Sequence, residues 1–157
     1  MAIYWRLIGA AVAALGCVSA THASCALVGD SIAHGAALFA PHCLRATWPG
    51  LNSKGWLDRF GRGPISADTV VISMGTNEQH DPALQGLLAL RSRIQASRVM
   101  WIAPGPQYPS RNSVFLVAGQ YGDLVFERPV EDLAKDGIHF TQNGSRRIAA
   151  LVSNGKN

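Results

Sequence analysis

Residues 25–40 read CALVGDSIAHGAALFA, and the order of these residues decides the fold. Cys25 to Gly29 is a short apolar run of the kind a fully buried strand uses. Gly29-Asp30-Ser31 interrupts it. From Ser31 to Ala40 the apolar residues Ile32, Ala36, Phe39 and Ala40 return on one helical face. A buried strand that feeds straight into a helix opens a βαβ unit. The alternation continues outward from there. Residues 44–48 suit a second strand, 55–60 a short helix, and 69–74, with Val70, Val71 and Ile72, the central strand. Asp81 and Pro82 form a cap and first-turn proline for a helix over 82–96. A strand over 98–103 stops at Pro104, a helix follows over 112–121, and a fifth strand spans 123–127. The last helix starts near Thr141, a good cap, and buries Ile148, Leu151 and Val152. The pattern predicts an α/β domain, a three-layer α/β/α sandwich built on a doubly wound five-stranded parallel sheet, flavodoxin-like in plan.

In such sheets reactive groups gather where strands end at their carboxyl termini. Three polar segments fall at these ends. Ser31 stands at a strand-to-helix junction, where its N–H has no helical partner and favours developing negative charge. A serine hydroxyl is a weak nucleophile and needs a base. Alone, the Gly-Asp-Ser triplet reads more readily as a helix cap. Asp136-Gly-Ile-His139 changes the weighting, because an imidazole can take the serine proton and a carboxylate can hold its other N–H. Gly137 permits the tight bend that brings the two together. Gly75-Thr-Asn77 follows the most buried strand, and the Asn77 amide is a candidate donor to an oxyanion.

Taken together, Gly-Asp-Ser-Ile at 29–32, Gly-Thr-Asn-Glu at 75–78 and Asp-Gly-Ile-His-Phe-Thr at 136–141 resemble three sequence blocks of the SGNH hydrolases, the GDSL-like esterases and lipases. The blocks occur in that family's order. The α/β-hydrolase elbow Gly-x-Ser-x-Gly is excluded by Ala33, which stands where a second glycine is required. The resemblance implies Ser31 as nucleophile, His139 as base and Asp136 as its orienter. It also implies an oxyanion hole from the Ser31 N–H, the Asn77 amide and a glycine N–H of a second block. That block departs from the family pattern and offers two glycines, Gly50, directly after strand two, and Gly55. The family uses no metal or organic cofactor, and the five scattered histidines suggest none. The expected activity is hydrolysis of a carboxylic ester, with a small acyl group such as acetyl favoured because the short chain leaves little room for a lid. Fatty-acyl esters or thioesters, acyl transfer to a sugar, and a noncatalytic glycan-binding module are the alternatives. His34 and His80 are near the expected pocket mouth. Trp48 and Trp56 are either packing residues or a substrate platform.

The beginning of the chain reads as a secretory signal: Arg6, then an apolar run over 7–18, then small residues at Ser19, Ala20 and Ala23. Cleavage after Ala20 or Ala23 divides the sequence into a leader, 1–23, and a catalytic domain, 24–157. The apolar run is short for a membrane span. The expected location is therefore secreted or periplasmic, without stable membrane insertion after cleavage. Lipoprotein anchoring at Cys17 is the weaker reading. Cys25 and Cys43 then remain as a pair in an oxidising compartment, which favours a disulfide. The strand climbs from Cys25 to Ser31 and the helix descends again, so Cys43 should end beside Cys25, far from the site. The net charge of +4 is spread along the chain with no basic run and no interleaved aromatics, which argues against a nucleic-acid partner. The expected partner is the ester substrate, an acylated carbohydrate of the cell envelope being one candidate.

Overall fold

The computed structural model describes residues 22–78 and 83–153. The leader with Cys17, the Asp81-Pro82 cap and His80 lie outside the described residues. Five strands, β1 (Ala23–Gly29), β2 (Leu44–Thr47), β3 (Ile65–Ser73), β4 (Ile94–Ile102) and β5 (Leu124–Phe126), form one sheet. Their order is β2-β1-β3-β4-β5 and every pairing is parallel. Five α-helices alternate with them: α1 (Ser31–Ala37), α2 (Ser53–Phe60), α3 (Ala83–Arg91), α4 (Ser110–Tyr121) and α5 (Gln142–Ser153). A 3₁₀ turn, Val130–Asp132, follows β5.

Alternation along the central strands splits the core into two layers. Val28, Val70, Ile72 and Trp101 point toward α2, α3 and α4, where Trp56, Leu87, Leu90, Val114 and Val117 cover them. Leu27, Val71, Met100 and Ile102 point the other way, onto Ile32 and Ala36 of α1 and Ile148 and Val152 of α5. Strand order reverses between β1 and β3, which makes the cleft above them the switch point of the fold. Right-handed crossovers require this partition, because the chain moves one way from β1 to β2 and the opposite way from β2 onward.

The sheet differs from the sequence expectation mainly at its amino-terminal edge. Residues 94–96, expected at the end of a helix, belong to β4, and the helix stops at Arg91. Ile94, Gln95 and Ala96 pair with Ile65, Ser66 and Ala67, which also extend β3 four residues below Thr69. Helix α1 ends at Ala37 rather than at Ala40, and successive turns carry the chain to Cys43. Pro41 cannot continue a helix.

At this lower edge Cys25 and Cys43 form the expected disulfide, with Cα atoms 4.8 Å apart. Nearby, His22 is held to Ser66 and Asp68, and Ser153 at the end of α5 approaches His42. Both ends of the described chain therefore emerge on the edge away from Ser31. Further along the same edge Arg91 grips Asp123 through Nε and Nη2 at 2.6 and 2.8 Å, both side chains almost fully buried. Trp101 Nε1 donates to the same carboxylate and Arg91 Nη1 to the Ile94 carbonyl, so every buried charge in this cluster has a partner. Among the described residues no helix is long and apolar enough to cross a membrane.

Candidate active site

Ser31 is the first residue of α1, directly above β1. Gly29 makes this position possible. It has φ +131°, and a Cβ there would overlap the carbonyl oxygen of Ser73 on β3. The two strands can approach this closely only where one lacks a side chain. The Asp30 N–H then donates to the Ser73 carbonyl at 3.0 Å. The Asp30 side chain is fully buried and caps α1, accepting from the Ile32 N–H at 3.0 Å and the Ser73 hydroxyl at 2.9 Å. Its other oxygen has no partner among the described residues. Burial pushes the Asp30 carboxyl up to about 6, although its hydrogen bonds act in the opposite direction.

The Ser31 hydroxyl lies 3.0 Å from Nε2 of His139, and Nδ1 of His139 lies 2.8 Å from Oδ2 of Asp136. The Asp136 carboxylate divides its work between its oxygens. Oδ1 accepts the Ile138 and His139 N–H groups at 2.9 and 3.0 Å, and Oδ2 faces the imidazole. Gly137, at φ +68°, supplies the left-handed turn between them. The bond to His139, with help from the two backbone donors, holds the Asp136 carboxyl down at about 2. The loop is tied at its base, where Ala134 N–H donates to the His139 carbonyl at 2.8 Å and Thr141 N–H to the Asp132 carbonyl at 2.7 Å. Thr141 also caps α5, its hydroxyl accepting from the Gly144 N–H. Arg128 donates from Nη1 to the Ile138 carbonyl at 3.0 Å.

The segment after β2, which holds Gly50 and Gly55, meets the Gly75-Thr-Asn-Glu78 segment after β3. Asn77 Nδ2 donates to the Leu51 carbonyl at 3.1 Å, leaving its second amide hydrogen free for another acceptor. Glu78 accepts from the Ser53 N–H at the start of α2. Of the two glycines, Gly55 lies inside α2 with its N–H committed to Asn52 Oδ1 at 2.8 Å. Gly50 lies exposed in the turn after β2 at φ +76°. Trp56 is completely buried, its Nε1 donating to the Ala46 carbonyl, so it is a core residue and no platform. Trp48 is 48% exposed at the rim, with Arg59 over its ring at 3.9 Å. His34 bonds Thr47 on β2, which occupies its Nδ1.

The Asp136 and His139 side chains are 48% and 49% exposed, so the edge is open to large partners. Among the described residues one group has metal-ligand character: Cys25, His42 and Cys43, with ligand atoms within 4.8 Å of one another. Both sulfurs are joined in the disulfide, which removes the thiolates that metal binding needs. Residues the sequence reading passed over are Asp30, Glu78 and Arg128. A carboxylate immediately before Ser31 was a visible signal for the first, whereas Glu78 and Arg128 acquire partners only through the fold.

Neither a protein-family model nor a curated protein matches the sequence. Among solved structures the chain is similar to the C-terminal catalytic domain of Streptococcus pneumoniae peptidoglycan O-acetyltransferase A (OatA), described with a methylsulfonyl adduct. The TM-score is 0.53 at 15% identity, over 85% of this chain and 92% of that domain. At this identity the likeness establishes a shared α/β fold.

Proposed function

We propose that the protein is an exported serine esterase of the SGNH type that removes small acyl groups, acetyl above all, from carbohydrate. The observation that carries the reading is the unbroken line from Ser31 through His139 to Asp136, at 3.0 and 2.8 Å, on the carboxyl edge of the sheet. Ser31 Oγ attacks the ester carbonyl as His139 Nε2 takes its proton. The ionised Asp136 stabilises the imidazolium. The oxyanion of the tetrahedral intermediate is received by the N–H groups of Ser31 and Gly50 and by the second hydrogen of the Asn77 amide. His139 returns the proton to the departing alcohol. Water, deprotonated by His139, then releases the acid from the acyl-serine.

A specific observation favours a second reading. The similar solved structure is an O-acetyltransferase domain, and a sugar hydroxyl can replace water in the last step with the same residues. The open edge suits a small acyl group on a bulky carrier in both cases. For the leader, the pairing of Ala23 with Ala67 and of His22 with Asp68 favours cleavage after Ala20 over Ala23.

A fluorophosphonate probe should label the protein on Ser31, and Ser31→Ala should lose both the label and nearly all hydrolysis of an activated acetyl ester. Retained hydrolysis in that variant would overturn the mechanism. Products formed with and without a sugar acceptor distinguish hydrolysis from transfer.

A further inference from the structure

Beside the triad loop, between the ends of β4 and β5, lies a cavity of about 210 Å³. Its wall includes Gln107, Arg111, Glu127, Arg128 and Gly137, the last of these two positions from His139. Two of the charges cancel, because Arg111 is paired with Glu127. Arg128 differs. Among the described residues its one protein acceptor is the Ile138 carbonyl, taken by Nη1, and no carboxylate stands within ion-pair distance. Nε and Nη2 make no protein bond and are not sealed inside the protein. Gly105 makes room for this arrangement, since a Cβ there would collide with both Arg128 Nη2 and Gln107 Oε1, which pack against it.

The free edge has a defined preference. Nε and Nη2 present two parallel donors that match the two oxygens of a carboxylate. The protein already uses the same edge of another arginine in this way, in the Arg91–Asp123 pair. Partial burial of Arg128 weakens competition from water, and Asp30, the neighbour of Ser31, is among the charges that act on the guanidinium.

We propose that the cavity is a subsite for a carboxylate carried by the acylated carbohydrate, with the Nε/Nη2 edge of Arg128 as its receptor. The proposal rests on the esterase reading for the ester half of the substrate and extends it to an acidic sugar. Arg128 is then a specificity residue that also steadies the triad loop through Ile138.

Two matched esters test it: methyl glucuronide and methyl glucoside carrying an acetyl group on the same ring hydroxyl. The wild-type protein should prefer the glucuronide by roughly tenfold in kcat/KM, mostly through KM, as a charge-assisted bidentate contact predicts. Arg128→Gln should bring the preference close to one, and Arg128→Lys should restore part of it. An equal fall for both esters in Arg128→Gln would leave Arg128 with loop support alone and overturn the subsite. So would a wild-type enzyme that does not discriminate. A binding arm is independent of catalysis and of the Arg128 variants' folding. Ser31→Ala protein, followed by NMR during titration with unacetylated methyl glucuronide, should shift resonances of residues 105, 128 and 137. Methyl glucoside should leave them unmoved. Glucuronide binding without hydrolysis of either ester would sink the esterase reading and keep the subsite. Hydrolysis without glucuronide binding would do the reverse.

Discussion

At the residue scale the open question is how the work is divided among Ser31, His139, Asp136 and Asn77. Nucleophile and base act as one unit, so Ser31→Ala and His139→Ala should be comparably damaging and their losses should not add. Asp136→Ala should be roughly tenfold to a hundredfold milder, since the imidazole keeps some function without its orienter. Because the Asp136 carboxyl is held at about 2, it remains ionised down to mildly acidic pH, and any activity limb above pH 4 belongs to another group. Asn77→Ala should lower kcat by roughly 10²–10³-fold with little change in KM, the loss associated with one oxyanion donor. An unchanged kcat with a raised KM would make Asn77 a substrate-binding residue. Asp30 has a different signature. Its folded carboxyl binds the proton more tightly than the unfolded chain, about 6 against 3.8, so the contribution of this group to stability is fully present below pH 4 and is lost as pH rises through 6. The decline amounts to about 3 kcal/mol for this group. In Asp30→Asn, whose amide oxygen can still accept from Ser73 and Ile32, the melting temperature should lose that fall between pH 4 and 7. Identical profiles for both proteins would show that Asp30 ionises normally.

At the element scale two clamps hold the lower edge. The Cys25–Cys43 bridge closes a loop with a sequence separation of 18, for which the chain-entropy model gives a stabilisation of about 3 kcal/mol. Reductant should lower the melting temperature yet leave activity at moderate temperature largely intact, because the bridge supports β1 and α1 from the end away from Ser31. Two free thiols in protein alkylated without reduction would rule the bridge out. The second clamp is Arg91–Asp123–Trp101. Arg91→Met leaves a buried carboxylate unpaired and should cost about 3–5 kcal/mol in a denaturant titration. Adding Asp123→Asn should recover part of it, a non-additive pair by construction. These clamps also explain what could be read from sequence. Strand, turn and helix at 25–40 were legible because periodicity changes sharply at Gly29, and the meeting of Ser31, His139 and Asp136 was legible because each of them sits in a short local motif. The extension of β4 back to Ile94 was not. Residues 94–96 continue the polar-apolar spacing of α3, and only their pairing with residues 65–67 makes them strand. The environment of Asp30 likewise depends on Ser73, 43 residues away, and the placement of Arg128 on Ile138, 10 residues away across a turn that no local motif announces.

At the scale of the whole molecule, charge and openness act together. A net charge of +4, or +3 in the proposed mature form without Arg6, and the exposed edge that carries Ser31 and His139 favour encounter with anionic polymers. For an acetylated acidic polysaccharide, kcat/KM should therefore fall as salt is raised from low to physiological ionic strength, as screening shortens the reach of the field to about 8 Å. A small neutral acetyl ester, assayed in parallel, should show almost no salt dependence. Equal sensitivity of the two would mean that the salt acts on the fold or on chemistry rather than on encounter.

His22 and Ser153 emerge together on the disulfide edge, and the Ser31–His139 pair occupies the opposite edge. This polarity determines how the protein can be attached to something else. A fusion partner, affinity tag or solid support joined through either of these ends comes away from the back of the molecule. The reacting edge then faces outward like the head of a stud, free to meet a surface too large to diffuse toward it. Immobilised protein joined in this way should keep its turnover on insoluble acetylated material, whereas attachment through Lys54, on α2 close to the turn that holds Gly50, would press the mouth against its support.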